Sequence, residues 1–116
     1  MENWTPEQVA QAMEAGEIIL VDVREPHEYE AERIRGALLY PLSTFDPAGL
    51  PLGQGKKVVL SCKSGGRTMQ AVSACMHAGI DVTAHLASGI EGWKAAGLSY
   101  FRTDPKTGRV EEVASA

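Results

Sequence analysis

Cys62 is followed directly by Lys63-Ser64-Gly65-Gly66-Arg67-Thr68 and preceded by the apolar, β-branched run Val58-Val59-Leu60. A thiol is a strong nucleophile only as its thiolate, so the question is what in this loop would hold a negative charge. Gly65 and Gly66 permit positive φ, which lets successive backbone N–H groups curl toward one point and form an anion nest. A helix beginning at Arg67 would add its positive dipole end, and Lys63 and Arg67 add two full charges. Such settings lower a cysteine pKa from about 8.5 into the range of about 3.5–7.5. The same cradle would hold an anionic substrate against the sulfur. The loop therefore predicts a nucleophilic, loop-exposed cysteine acting on an anion.

The elements that must position this loop are legible in the hydrophobic pattern. Thr5-Pro6-Glu7-Gln8 reads as a helix start, with Thr5 as N-cap, Pro6 at the first helical position and Gln8 closing a capping box; Gly16 is the stop. Ile18–Val23 is short, apolar and β-branched, as a strand buried on both faces should be. A short helix is expected around Pro26–Glu32, a third extended element at Ala37–Tyr40, and a connecting loop over 43–55, where glycine and proline breaks dominate. Lys57–Ser61 is the second strongly apolar strand, and Arg67–Ala78 the helix after it, with Val72, Cys75 and Met76 on its buried stripe. Val82–Leu86 and Ile90–Ala96 read as a further strand and a short helix. Strands alternating with helices predict an α/β fold with a mainly parallel central sheet flanked by helices on both faces. In such sheets, sites form where strands end and helices begin, which is where Cys62 falls. The domain is expected over residues 1–100. Residues 101–116 are expected to be a polar C-terminal tail.

The bulk properties exclude several function classes. A chain of 116 residues with 44% hydrophobic residues predicts one domain with one core. A net charge of −4 and a pI near 5.3 predict no general attraction to nucleic acid or to an anionic membrane, so any cationic site must be local. Two cysteines are too few for a disulfide scaffold and suit a reducing compartment. The acidic, amphipathic start MENWTPEQVAQAMEAG is unlike a secretory signal, and no run approaches the length of a membrane span. A cytoplasmic domain is expected.

Cys62–Thr68 resembles the six-residue active-site loop of single-domain rhodaneses, the thiosulfate sulfurtransferases. Val21-Asp22-Val23-Arg24-Glu25-Pro26-His27-Glu28-Tyr29 is similar to the family's early strand and its Asp-x-Arg signature, and Ile34-Arg35-Gly36-Ala37 to the Gly-Ala turn after it. His85–Trp93 resembles the late Gly-Gly…Trp signature, and Gly97 suits the closing turn. The family's Gly-His-Ile is Glu32-Arg33-Ile34 here, and its Gly-Gly is Ser88-Gly89. The resemblance implies a two-step exchange in which Cys62 takes the sulfane sulfur of thiosulfate or another persulfide donor. Cys62 then passes that sulfur from a persulfide to cyanide, a small thiol or a protein thiol. It also implies that Lys63, Ser64, Gly65, Gly66, Arg67 and Thr68 bind substrate and steady the persulfide, and that no metal or organic cofactor is required. Arg67, planar and permanently charged, is the expected clamp for sulfonate oxygens, with Lys63 a looser point charge.

Cys75 lies on the apolar stripe with Val72 and Met76 and is expected to pack in the core. Eight helical residues past Arg67 place it roughly 12 Å along the axis, too far to resolve Cys62 as a disulfide. Asp22 and Arg24 end a buried strand, and a structural ion pair framing the site is expected of them. His27, His77 and His85 share no ligand spacing, so no metal is assigned. Trp93 is expected in the core and Trp4 over its edge. A cysteine phosphatase places its arginine six positions after the cysteine; here Arg67 comes at the fifth, a shorter ring suited to a sulfane sulfur. The remaining rival is a rhodanese-like sulfur-carrier or protein-interaction module with little turnover of its own.

Overall fold

The computed structural model describes residues 1–114. Five parallel strands form the central sheet: β1 (Glu2–Trp4), β2 (Ile18–Asp22), β4 (Leu38–Leu39), β5 (Lys57–Ser61) and β6 (Ala84–Leu86), in the spatial order β1-β6-β5-β2-β4. β5 lies at the centre, paired in register with β2 from Ile18–Lys57 to Asp22–Ser61. Four helices connect or flank the strands: α1 (Pro6–Glu14), α2 (Pro26–Ala31), α3 (Gly66–His77) and α4 (Gly89–Ala95). The predicted α/β architecture with a central parallel sheet is the one observed.

Alternation along the two central strands divides the core. Ile18, Leu20 and Val59 face one side, where α1 (Val9, Ala12) and α4 (Ile90, Trp93) cover them. Val21, Val23, Val58, Leu60 and Cys62 face the other, against Ala71, Val72 and Cys75 of α3. Period-two strands between helices on both faces explain why β2 and β5 read as nearly continuous apolar runs. α1 begins as its sequence requires: the Thr5 side chain accepts from the Gln8 N–H at 3.2 Å, and Gln8 Oε1 accepts from the Thr5 N–H at 2.9 Å.

Three features differ from expectation. The segment after Leu98, expected to be a weakly patterned tail, contains β7 (Tyr100–Thr103) and β8 (Val110–Val113), an antiparallel pair. β7 also pairs with β3 (Glu32–Arg33), completing a second, three-stranded sheet. Its order comes from partners some 70 positions earlier in the chain, including a hydrogen bond from the Thr103 hydroxyl to the Glu30 carbonyl at 2.6 Å. No local periodicity announces such pairing. β1, three polar or half-buried residues, was likewise not expected; it is extended because it pairs with β6, placing Trp4 beside Leu86. Met76, expected on the buried stripe of α3, is 67% exposed. The stripe is instead Thr68, Ala71, Val72 and Cys75, the i, i+3, i+4, i+7 set.

Cys75 is fully buried in apolar surroundings, and burial pushes its thiol up from the usual value. Cys75→Ser should therefore cost about 1–3 kcal/mol, because it buries a hydroxyl on a face that offers no polar partner. Urea unfolding with an unchanged m-value would show it; a variant as stable as the wild type would exclude this packing role.

Candidate active site

β5 ends at Ser61, the chain turns through Cys62–Gly65, and α3 begins at Gly66. Gly65 makes the turn possible, at φ +106°, and a side chain there would run into the Ala87 carbonyl oxygen. Its N–H points back at Cys62 Sγ, 3.1 Å away, and the Thr68 hydroxyl lies 3.8 Å from the same sulfur. The thiol is not loop-exposed as expected: Cys62 is only 1% exposed and packs with Val21, Val23 and Leu60. It sits at the floor of the loop, with Lys63 and Ser64 outside it.

Burial alone pushes the Cys62 thiol up. Against it act the backbone N–H groups of Thr68, Gly65 and Ser64 and the Thr68 hydroxyl, and together they bring the thiol below its ordinary value. Gly65 alone adopts the left-handed φ expected of both glycines, Gly66 being the first residue of α3; the amides and the Thr68 hydroxyl together outweigh burial.

A second helix start secures the loop from behind. At the start of α4, the N–H of Ile90 donates to the Cys62 carbonyl at 2.9 Å, and that of Glu91 to the Lys63 carbonyl at 3.1 Å. This approach needs Gly89, at φ +62°, where a Cβ would meet the carbonyls of both Lys63 and Cys62. The preceding Ser88 sits at φ −93°, so only the second position of this dipeptide requires glycine.

The charged residues are arranged differently from one another. Asp22 and Arg24 form the expected buried frame: Arg24 Nε and one terminal nitrogen reach the carboxylate at 3.0 and 2.8 Å. Arg24 also donates to the Glu32 carbonyl at 2.7 Å and the Glu28 carbonyl at 3.4 Å, tying both ends of α2 to the sheet. Arg67, expected to clamp substrate oxygens, is instead engaged end-on by Glu28 at 2.5 and 2.8 Å. The Arg67 hydrogen bonds hold the Glu28 carboxyl down at about 2, against a smaller opposing effect of burial. Lys63 is exposed and has no ion-pair partner among the described residues. Ser64 and Gly66 are exposed at the loop's outer side.

Thr68, expected to bind substrate, is completely buried and its hydroxyl is used inside the protein. It bonds the Gly65 carbonyl at 2.9 Å and His85 Nδ1 at 2.6 Å. His85, weighed in the sequence only as a metal ligand, has a different place: it is buried on β6, and its Nε2 bonds Asn3 Oδ1 of β1 at 2.8 Å. Burial holds it below the ordinary histidine value, as a neutral ring. A histidine 17 residues from its threonine partner has no motif spacing; the pairing of β6 with β5 sets His85 beside the loop, and that of β1 with β6 adds Asn3.

The fold and the loop define an α/β domain with a thiolate cradle at the end of its central strand. The chain belongs to the Rhodanese-like domain family, whose model matches residues 5–96. It is 40% identical over 98 residues to an uncharacterised protein of Synechocystis, across 84% of this chain and 55% of that one. The chain thus spans about half the length of that relative. It is 32% identical over 82 residues to a sulfurtransferase of Allochromatium vinosum, covering 71% of this chain and 77% of the relative. The human single-domain sulfurtransferase TSTD1 shares the fold, with a TM-score of 0.68 at 23% identity over 82% of this chain and 96% of that one. Family membership and the sulfurtransferase relative support a sulfurtransferase or sulfur-carrier role.

Two outcomes follow from this geometry. Gly89→Ala should strain the backbone by about 1–3 kcal/mol and push the Cys62–Lys63 carbonyls apart. A lowered melting temperature together with slowed alkylation of Cys62 is expected, and wild-type values for both would exclude the contact. A thiol pKa lowered by the loop amides means that the thiolate fraction saturates at lower pH than for a free cysteine. The pH–rate profile of Cys62 alkylation by iodoacetamide should therefore bend at a lower pH than that of a free cysteine, about 8.5; a profile that bends at or above the free-cysteine value would contradict the tuning.

Proposed function

We propose that the protein is a sulfurtransferase in which Cys62 carries sulfane sulfur as a persulfide. The observation that carries this reading is the buried Cys62 sulfur at the floor of the loop, met by the Gly65 N–H at 3.1 Å. The Cys62 thiolate attacks the outer sulfur of thiosulfate, or the terminal sulfur of a persulfide; the sulfur–sulfur bond breaks and sulfite, or a thiolate, leaves with the electron pair. The transferred sulfur then bears the negative charge, and the loop amides stabilise it there as fixed dipoles needing no reorganisation. In the second step cyanide, a small thiol or a protein thiol attacks that terminal sulfur and releases the Cys62 thiolate.

Within this reading the loop residues divide their work. The backbone of Ser64, Gly65 and Thr68 holds the charge on sulfur, while Lys63, exposed at the rim, steers anionic donors. Asp22 and Arg24 frame the site without touching sulfur. No helix among the described residues is long and apolar enough to cross a membrane, and both cysteines are free. A reducing compartment such as the cytoplasm keeps Cys62 available for this chemistry.

Single-turnover incubation with thiosulfate, and separately with a persulfide, followed by intact mass, should show one added sulfur on the wild type. Cys62→Ser should show none with either donor, and Cys75→Ser should still be loaded. Sulfur retained on the Cys62→Ser protein would overturn the assignment.

A further inference from the structure

Thiosulfate presents three sulfonate oxygens and a double negative charge, and its natural partner in a protein is an arginine fork. This loop has one arginine, and both of its terminal nitrogens already meet the two oxygens of Glu28, at 2.5 and 2.8 Å. The carboxylate is well held. Glu28 Oε1 also accepts the Glu25 N–H at 3.1 Å at the start of α2, and the Glu28 carbonyl is tied to Arg24, itself locked on buried Asp22. Beside the pair lies an open depression of about 280 Å³ whose lining includes Lys63, Glu28, Glu32 and Glu91. Glu32 and Glu91 both share Lys94, at 2.9 and 3.6 Å, while Lys63 on this wall has no carboxylate partner among the described residues.

We propose that Glu28 determines donor specificity in the loading step: by occupying the Arg67 fork it disfavours thiosulfate and selects a persulfide, R–S–SH, whose reacting end needs no clamp. The inference rests on the sulfurtransferase reading of Cys62 given above. In the favoured reaction the thiolate attacks the terminal sulfur and the sulfur–sulfur bond breaks. R–S⁻ leaves with the electron pair and takes up the proton of the Cys62–S–SH first formed, so that R–SH is released and the Cys62 persulfide keeps the negative charge that the loop amides hold. For thiosulfate to be clamped, the sulfonate would have to displace an anion already seated on the same fork. Glu28 remains ionised throughout the neutral range, so mild acid does not relieve the competition.

The test compares two donors, thiosulfate and the persulfide of N-acetylcysteine methyl ester, whose R group is uncharged, on the full chain. Wild-type protein should load from the persulfide with a kcat/KM roughly tenfold or more above that for thiosulfate. Glu28→Gln keeps an oxygen for the Glu25 N–H but removes the charge on the fork. It should raise kcat/KM for thiosulfate by roughly tenfold or more, the size of a recovered charge-assisted contact. The persulfide value should stay within about threefold. The gain should vanish in the Glu28→Gln/Arg67→Ala double variant and shrink at high salt. Because a merely destabilised protein loses both donors together, the ratio of the two kcat/KM values is the readout. An unchanged ratio in Glu28→Gln, or a gain that survives loss of Arg67, overturns the role of Glu28 while leaving the sulfurtransferase reading in place. Failure of the wild type to load from either donor overturns that reading, and this inference with it.

Discussion

A sulfur that is 1% exposed can carry negative charge only where fixed dipoles replace the water it has lost, and the rest of the site depends on meeting that requirement. Burial opposes the thiolate, and a cluster of N–H groups aimed at one atom overrides it. Those groups converge because Gly65 adopts a conformation closed to other residues and because α3 starts immediately after it. The same burial that opposes ionisation removes competing solvent, so each amide that does reach the sulfur counts for more than it would in water.

Two helix starts cooperate across one loop. The amides around Gly65 and α3 face the sulfur, while those of Ile90 and Glu91 take the carbonyls of Cys62 and Lys63 on the far side. The carbonyls of Cys62 and Lys63 are thereby satisfied by backbone N–H groups, and Gly89 is small because that contact is backbone against backbone. Beneath the loop, Thr68 and His85 tie α3 to β6, and through Asn3 to β1. The edge strand of the main sheet thus takes part in bracing the turn at Cys62. On the opposite wall, the Asp22–Arg24 pair fixes α2, and α2 in turn places Glu28 against Arg67. Cys62 is therefore framed by two buried polar networks reached from opposite sides of β5.

The charge on Arg67 shows how a residue's type and its availability separate. A guanidinium at the head of a helix beside a thiolate satisfies every local criterion for binding an anion. Its engagement by a carboxylate 39 positions earlier decides which anion it holds.

What the sequence determined alone was whatever local physics controls. The cap of α1, the apolar runs of β2 and β5, the parallel α/β order and the amide nest at Cys62 follow from capping chemistry, side-chain period and glycine backbone freedom, all readable within a few residues. The core role of Cys75 and the Asp22–Arg24 ion pair were legible for the same reason, since both are set by position on one element. The tertiary structure decided what depends on partners distant in the chain: the strand character of Glu2–Trp4, Tyr100–Thr103 and Val110–Val113, the outward turn of Met76, the burial of the sulfur, the Thr68–His85 brace and the capture of Arg67 by Glu28. A short polar segment becomes a strand only when another backbone supplies its hydrogen bonds, and a charge is free or occupied only according to what the fold brings beside it.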